Sequence, residues 1–179
     1  MSNMSPSRRR FLSSAAVAAV AAPTLTTEAF ARRPADNDFD YEVKRTEAEW
    51  RAMLSDEEYD ILRAGGTERK FTSRLTIEER AGAYTCRGCD LKLYDAEHKV
   101  IYPIGWAFWF HSEDNAVLTG KDVIPAEMSD GEQEMGTAKV MSELHCRRCG
   151  SHLGHMVSIK NKPTHCINGS ALVFTPAEA

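Results

Sequence analysis

The spacing of apolar side chains changes near residue 80, which separates a helical part of the chain from a strand-rich part. Before residue 80, two short apolar stripes each follow a polar start with the form of a capping box, at residues 46–49 and 55–58. Gly65 and Gly66 follow the second stripe and predict the end of the second helix. The pattern predicts two short helices that pack on a larger body.

After residue 80, short runs rich in β-branched, aromatic and aliphatic residues alternate with turn residues. Six of these runs have the composition of strands: residues 83–86, 91–94, 100–102, 139–145, 152–159 and 170–174. The polar stretch 111–136 predicts a long excursion or hairpin on the surface. The body on which the helices pack is therefore expected to be mainly β.

The first 31 residues have the features of a cleaved export signal. Three arginines at positions 8–10 precede an apolar stretch, residues 11–22, which is too short to cross a bilayer as a stable helix. The Ser-Arg-Arg-x-Phe-Leu pattern is similar to a twin-arginine signal, and Ala29-Phe30-Ala31 supplies a small-x-small cleavage site. We expect removal of residues 1–31, a flexible leader at 32–40, and a protein that is periplasmic or otherwise exported. A disordered basic N-terminus on a cytoplasmic protein is the alternative.

Length and charge narrow the class of protein further. The 179 residues, of which 42% are hydrophobic, suit one globular domain, which we place at residues 41–175. Lys and Arg number 22 against 26 for Asp and Glu, so the net charge is −4 and a basic face for nucleic acid is not expected. The chain has no apolar run of about 18 residues, so no membrane span is expected in the mature protein.

Four of the five cysteines form two Cys-x-x-Cys pairs, Cys86 with Cys89 and Cys146 with Cys149. A tetrahedral zinc ion needs four thiolates, each roughly 2.3 Å from the metal, and two tight turns that each offer two sulfurs meet that need. We therefore expect one structural Zn²⁺ ion per chain. Two disulfides or a redox-active dithiol are the alternative in an oxidising compartment, although such disulfides would close very small loops and stabilise little.

The fifth cysteine, Cys166, is the candidate nucleophile. A lone thiol in an exported protein is open to oxidation unless it is buried or used. His152 and His155 follow the second cysteine pair, and His165 directly precedes Cys166. A histidine near a thiol can hold it as a thiolate and supply protons to a leaving oxygen. These residues predict nucleophilic chemistry at Cys166; a buried structural cysteine is the alternative.

Several short motifs occur in a fixed order over residues 41–174. They are Glu49-Trp50-Arg51, Gly66-Thr67-Glu68-Arg69, the first Cys-x-x-Cys pair, Gly105-Trp106, the second Cys-x-x-Cys pair, His152-Leu153-Gly154-His155 and Cys166-Ile167-Asn168. In this order they resemble the B-type methionine-R-sulfoxide reductases. The resemblance implies a fold of two antiparallel β-sheets, clipped together by a four-cysteine zinc site, with short N-terminal helices.

The resemblance also implies a reaction and a role for each site residue. Cys166 would attack the sulfur of an oxidised methionine in a peptide or protein and become a sulfenic acid as methionine leaves. His152 and His155 would form the proton-donating side of the pocket. Trp106 would hold the methyl group of the substrate against its indole ring. Asn168 would position groups around the reacting sulfur.

The chain departs from the family pattern at positions around the nucleophile. His165 stands where the family has an aromatic residue before its cysteine, and we expect it to contribute to substrate binding. Met141 and Thr164 stand in place of two family arginines. Ile104 occupies the position of a second cysteine, so an external thiol or thioredoxin-like protein is expected to reduce the sulfenic acid. A non-catalytic zinc-binding recognition domain on the same scaffold is the alternative function.

Overall fold

The computed structural model describes residues 39–124 and 139–178. The expected signal peptide at residues 1–31 lies outside the described residues, as do most of the leader at 32–40 and the second part of the 111–136 stretch. Within the described part of the chain, neither helix has the length or the apolar character needed to cross a membrane.

Two short helices precede the β-sheets, as the capping boxes predict. Helix α1 is Glu47–Met53 and helix α2 is Asp56–Ala64. The side chain of the threonine or serine before each helix accepts a hydrogen bond from the first turn, and a glutamate carboxylate in that turn accepts one from the backbone N–H of the same threonine or serine. Helix α2 ends at Gly65, whose φ of 72° lies in the left-handed region that glycine adopts without strain. The helices bury Trp50, Ile61 and Leu62 against the body of the protein.

The smaller sheet has three antiparallel strands in the order β2-β1-β9. Strand β1 is Gly82–Cys86, β2 is Lys92–Asp95 and β9 is Leu172–Pro176. The larger sheet has six antiparallel strands in the order β3-β4-β8-β7-β6-β5. Its strands are β3 Lys99–Val100, β4 Ala107–Trp109, β5 Val117–Ile124, β6 Lys139–Cys146, β7 His152–Ile159 and β8 Lys162–Ile167. Two antiparallel sheets with short N-terminal helices confirm the expected fold class.

Three strands of the larger sheet do not appear among the predicted strands. Strand β5 occupies part of the polar stretch 111–136 and pairs antiparallel with β6, so this part of the stretch fits the expected hairpin and not the expected excursion. Strand β4 is only three residues long. Strand β8 carries Pro163, which the sheet tolerates because β4 pairs only with residues 165–167 and leaves the start of β8 on an edge.

Aromatic side chains fill the space between the two sheets. The ring of Trp109, from β4, lies 4.9 Å from the ring of Tyr84 in β1 and stacks at 4.7 Å on Tyr94 in β2. The three side chains are fully buried. Aromatic contacts of this kind contribute about 0.5–1.5 kcal/mol each beyond the area they bury. The inner face of the larger sheet therefore packs against the smaller sheet, so a functional site is expected on its outer face.

Candidate active site and metal centre

The four paired cysteines converge on one point. The Sγ atoms of Cys86 and Cys149 are 3.7 Å apart, those of Cys89 and Cys146 are 3.5 Å apart, and all four lie within 4.8 Å of one another. Four thiolates around a tetrahedral ion at 2.3 Å would be about 3.8 Å apart. All four cysteines are free of disulfides. The arrangement can hold a metal ion with four sulfur ligands.

The position of this cluster in the fold explains how it clips the two sheets. The first cysteine pair forms the turn between β1 and β2 of the smaller sheet, and the second forms the turn between β6 and β7 of the larger one. Gly150 closes the second turn with a φ of 68°, and a Cβ atom there would lie 2.9 Å from the ring of Tyr41. The four ligands thus come in equal numbers from the two sheets.

Positive charge surrounds the cysteine cluster. Three guanidinium groups donate hydrogen bonds to backbone carbonyls of the two turns: Arg45 to Gly88 (2.9 Å), Arg63 to Cys149 (3.2 Å) and Arg148 to Cys89 (3.2 Å). Burial lowers the pKa of Arg63, against the opposing effect of the nearby Cys149. A divalent ion with four thiolates carries a net charge of −2, and these cations offset it. The site is therefore suited to a bound, charged metal centre.

Cys166 lies on the outer face of the larger sheet, in β8. It is paired with His155 in β7 on one side and with Phe108 in β4 on the other. Directly opposed residues of antiparallel strands place their side chains on the same face, so Cys166 and His155 are neighbours. Trp106 directly precedes β4, and its indole Nε1 donates a hydrogen bond to the carbonyl of Glu68, the residue whose charge acts on Cys166. The sheet thus brings the predicted nucleophile next to one predicted histidine, and the predicted substrate-binding tryptophan lies at the start of the neighbouring strand.

The surroundings of Cys166 keep its thiol protonated at neutral pH. Burial, and to a smaller extent the negative charge of Glu68, raise the pKa of Cys166 to about 12. Thr164, two residues earlier on the same face of β8, is fully buried and uncharged. Nucleophilic attack by this thiol therefore has to be coupled to removal of its proton.

A bulge brings the two predicted histidines to the same face. Residues three apart on a regular strand point in opposite directions, but the pairing of β6 with β7 shifts between Gly154 and His152. As a result, the rings of His152 and His155 lie 5.2 Å apart. His152 Nε2 is buried and has no hydrogen-bond partner among the described residues, which leaves one ring nitrogen able to bind a ligand.

Each histidine is paired with a carboxylate that the sequence patterns do not identify. His152 Nδ1 lies 2.7 Å from Glu143 Oε1, and His155 Nε2 lies 2.7 Å from Asp122 Oδ2. Both carboxylates are more than nine-tenths buried. A buried carboxylate fixes the orientation of the imidazole to which it is hydrogen-bonded. The alternation of β6 could have identified Glu143, whereas Asp122 lies in the stretch 111–136, which was interpreted as an excursion or hairpin that carries no motif.

Asn168 and Trp106 are held by the same backbone segment. Asn168 accepts a hydrogen bond from Glu68 N at 3.0 Å and donates one to Leu153 O at 3.1 Å. The indole Nε1 of Trp106 donates to Glu68 O at 3.1 Å. Asn168 is 3% exposed, so its amide acts on the backbone around the nucleophile.

The structure does not bring His165 to the face of Cys166. Adjacent residues of a strand point to opposite faces, so His165 points toward the smaller sheet. Its Nδ1 lies 3.1 Å from the hydroxyl of Tyr94, and burial lowers its pKa. The predicted role of this residue in substrate binding therefore finds no support in its placement.

Comparison with known proteins extends over most of the chain. Residues 54–176 match the family model described as the SelR domain. A protein of Pseudomonas putida (strain W619), named peptide methionine sulfoxide reductase MsrB, is 37% identical over 140 residues, which cover 76% of this chain and 96% of that protein. Proteins of the same name from Agrobacterium fabrum and Methylibium petroleiphilum are 35% and 34% identical over 137 residues, covering 75% of this chain and 93% and 91% of theirs.

Proposed function

This chain belongs to the SelR-domain family, and from that membership we propose that it is a peptide methionine sulfoxide reductase acting on the R epimer. One observation indicates which residues would carry out the reaction. Cys166 is paired with His155 across β7 and β8, and Trp106 directly precedes β4, the strand on the other side of Cys166. A non-catalytic recognition domain is not favoured, because the nucleophile, both histidines and the tryptophan are all in place.

The reaction moves one oxygen atom from the substrate to the enzyme. The sulfur of Cys166 bonds to the sulfoxide sulfur, and the oxygen then transfers to Cys166. The sulfur–oxygen bond of the substrate and the new sulfur–sulfur bond both break, which releases methionine and leaves Cys166 as a sulfenic acid. The sulfoxide is reduced by two electrons to methionine, and the cysteine is oxidised by two. The thiol proton leaves the sulfur and one proton ends on the oxygen, so no net proton is consumed. His155, held by Asp122, is the group placed to carry this proton.

Trp106 supplies the apolar wall of the proposed pocket. Its indole N–H is committed to the backbone of Glu68, which fixes the plane of the ring. The ammonium group of Lys70 lies 5.2 Å from the centre of this ring. A sulfur-bound methyl group packs favourably on an aromatic ring. Trp106 is therefore the residue that we expect to select a methyl sulfoxide.

Regeneration of Cys166 requires a thiol from outside the chain. Four of the five cysteines form the metal centre, and Ile104 occupies the place of a second cysteine. Two external thiols, or one thioredoxin-like dithiol, would reduce the sulfenic acid to the thiol and water and become a disulfide. We therefore assign a one-cysteine mechanism with an external reductant.

We assign the metal as a structural zinc ion. Four thiolates in tetrahedral arrangement are the usual ligand set of structural zinc, and the distances between the sulfur atoms fit it. With four protein ligands the ion would have no open position for a substrate. Its role would be to hold the β1–β2 turn against the β6–β7 turn.

We also propose that the protein is exported by the twin-arginine route. The arginines at positions 8–10, the short apolar stretch and the Ala29-Phe30-Ala31 site support this proposal. N-terminal sequencing of the protein recovered from the periplasm or the medium should begin at Arg32. Uncleaved protein found only in the cytoplasm would contradict export.

Turnover measurements test the enzymatic proposal. Each methionine sulfoxide epimer is offered in a peptide with dithiothreitol, to the wild type and to Cys166→Ser. We expect the wild type to reduce the R epimer and Cys166→Ser to reduce neither. Equal melting temperatures and metal contents would show that the variant is folded. If wild type and variant are equally inert on both epimers, the protein is not a reductase and the recognition domain is the better description.

A further inference from the structure

The loop after helix α2 contains a buried carboxylate that the proposed reaction does not use. Glu68 is 3% exposed. Its carboxylate accepts hydrogen bonds from Gly169 N at 2.8 Å, from Ser170 N at 2.9 Å and from Ser170 Oγ at 2.7 Å. These three donors belong to the short turn that follows the nucleophile, because Gly169–Ala171 comes directly after Asn168. Such charge-assisted bonds are what allow a carboxylate to be buried.

The backbone of the same residue is bonded to two further site residues. The N–H of Glu68 donates to the side-chain oxygen of Asn168, and its carbonyl accepts from the indole of Trp106. Asn168 follows Cys166 by two residues. Glu68 therefore connects the indole ring on one side with the end of β8, which carries the nucleophile, on the other.

The charge of Glu68 opposes thiolate formation at Cys166. A negative charge near a thiol favours the protonated form, and Glu68 is one of the two causes that raise the pKa of Cys166. A neutral residue at this position would make the thiolate easier to form. Activation of the thiol therefore does not explain the carboxylate. Glu68 makes five hydrogen bonds, three through its carboxylate and two through its backbone, and these bonds suggest another role.

We propose that Glu68 is a positioning residue, which fixes the indole of Trp106 relative to Cys166 and so sets how the methyl sulfoxide is held against the nucleophile. The inference rests on the proposed reductase function for its effect on turnover. Placement of the indole and protonation of the thiol can be measured without substrate, so the two proposals can fail separately.

Two substitutions separate position from charge. Glu68→Gln keeps the size of the side chain but offers one acceptor oxygen, so its NH₂ group must face a backbone N–H of Gly169 or Ser170. Glu68→Asp keeps the charge but is one methylene shorter, so the carboxylate withdraws from the same donors. Both changes loosen the anchor, and only Glu68→Gln removes the charge. Glu97→Gln, on an exposed side chain, is the matched control.

The value of kcat/KM should depend on the position of the side chain at residue 68 and not on its charge. A misplacement of the reacting groups by about 1 Å can cost roughly 100-fold in rate. We expect kcat/KM for the peptide R-sulfoxide to fall by about 10- to 100-fold in both Glu68 variants. Glu97→Gln should match the wild type.

Two readouts that need no substrate should separate the variants. The indole N–H resonance of Trp106, assigned by Trp106→Phe, should shift in both Glu68 variants and stay in place in Glu97→Gln. The alkylation rate of Cys166 against pH should move to lower pH in Glu68→Gln and change little in Glu68→Asp. The other charged groups on this face, His155 with Asp122 and His152 with Glu143, are the same in both variants, so the difference reports Glu68.

An unshifted indole resonance together with wild-type kcat/KM in both folded variants would overturn the proposal. If the Glu68 variants do not fold, Ser170→Ala repeats the test, because it removes only the hydroxyl bond to the carboxylate. Its kcat/KM should fall by about threefold to tenfold with a shifted indole resonance. Full activity with an unshifted resonance in Ser170→Ala would likewise overturn it. Lost turnover in the wild type with shifted resonances in the variants would instead overturn the reductase function alone.

Discussion

Gly154 separates the two site histidines, and its lack of a side chain is what lets β7 and β8 approach each other at the nucleophile. It lies opposite Ile167 in the β7–β8 pair. A Cβ atom at Gly154 would lie 2.0 Å from the carbonyl oxygen of Cys166 and 3.0 Å from the Cα atom of Ile167. Both neighbours are backbone atoms, which cannot rotate away. We therefore predict that Gly154→Ala damages the fold and the site together.

The size of the effect follows from the distance. The 2.0 Å separation falls short by about 1.4 Å of the 3.4 Å at which ordinary van der Waals contact begins, and the strands must open by a comparable amount. Overpacking costs about 1–3 kcal/mol, and each ladder hydrogen bond that breaks adds about 1 kcal/mol. We expect the free energy of unfolding to fall by about 3 kcal/mol or more. A displacement of this size beside Cys166 should also lower kcat/KM by roughly 100-fold in the folded fraction.

Urea unfolding of the zinc-loaded protein and turnover of a peptide R-sulfoxide measure the two effects. Gly66→Ala is the matched control, since its Cβ would meet the carboxylate of Asp60 at 2.2 Å, but that side chain is exposed and can rotate. The control should lose less than about 1 kcal/mol. If Gly154→Ala loses no more stability than the control, the close approach of β7 and β8 does not limit this position and the reasoning is wrong.

Four further results are expected. Elemental analysis should find one zinc per chain, and chelation should lower the melting temperature because metal binding is coupled to folding; a folded, metal-free protein with two disulfides would contradict this. Without substrate, the alkylation rate of Cys166 should rise with pH up to about 12, because burial raises the pKa of its thiol and the thiolate fraction at pH 7 is only roughly 10⁻⁵; a midpoint at about pH 8.5, the pKa of an unburied thiol, would refute it. Asp122→Asn should lower kcat by about 10-fold or more with little change in KM, since it weakens the support of His155, whereas the exposed Asp114→Asn should change neither. After one turnover without reductant, intact mass should show one oxygen gained on Cys166; loss of two hydrogens with release of zinc would show that a metal ligand resolves the sulfenic acid.

The parts of the structure that the sequence predicts are those with local signals. A capping box lies within four residues, so both helices could be placed from the residues at their first turns. A Cys-x-x-Cys turn is also local, and the two turns could be paired because tetrahedral metal requires four ligands. The nucleophile and the two histidines were predicted from motifs of three and four residues. Their convergence on one face could not be predicted this way.

The carboxylates were not predicted, because their partners are distant in the chain. Glu143 is bonded to a histidine nine residues away, Asp122 to one 33 residues away, and Glu68 to a backbone N–H 101 residues away. Hydrophobic periodicity describes which face of an element is buried and carries no information on which strand lies beside it. Strands β4, β5 and β8 were missed for the same reason, since their pairing stabilises runs whose own composition is mixed.

His165 shows how strand geometry decides between two sequence neighbours. It is adjacent to Cys166, yet its ring is bonded to Tyr94 between the sheets, while His155, eleven residues away, opposes the nucleophile. Recognition of β8 as a strand would have separated His165 from Cys166 by alternation alone. Proximity in sequence is therefore a poor guide to a site built on a sheet, where the neighbours of a residue come from the strands on either side.

The cysteine cluster that could hold a metal and the proposed active site are connected through β7. This strand begins at His152, three residues after Cys149 of the cluster, and carries His155 beside Cys166. The bulge that turns both histidines to one face lies in the first residues of β7, directly after the turn that the metal would hold. A zinc ion held by four cysteines would have no open coordination position, yet it would still affect catalysis. It would fix the start of β7, the strand that carries His152 and His155. The clip between the sheets and the geometry around Cys166 are two consequences of the same β6–β7 turn.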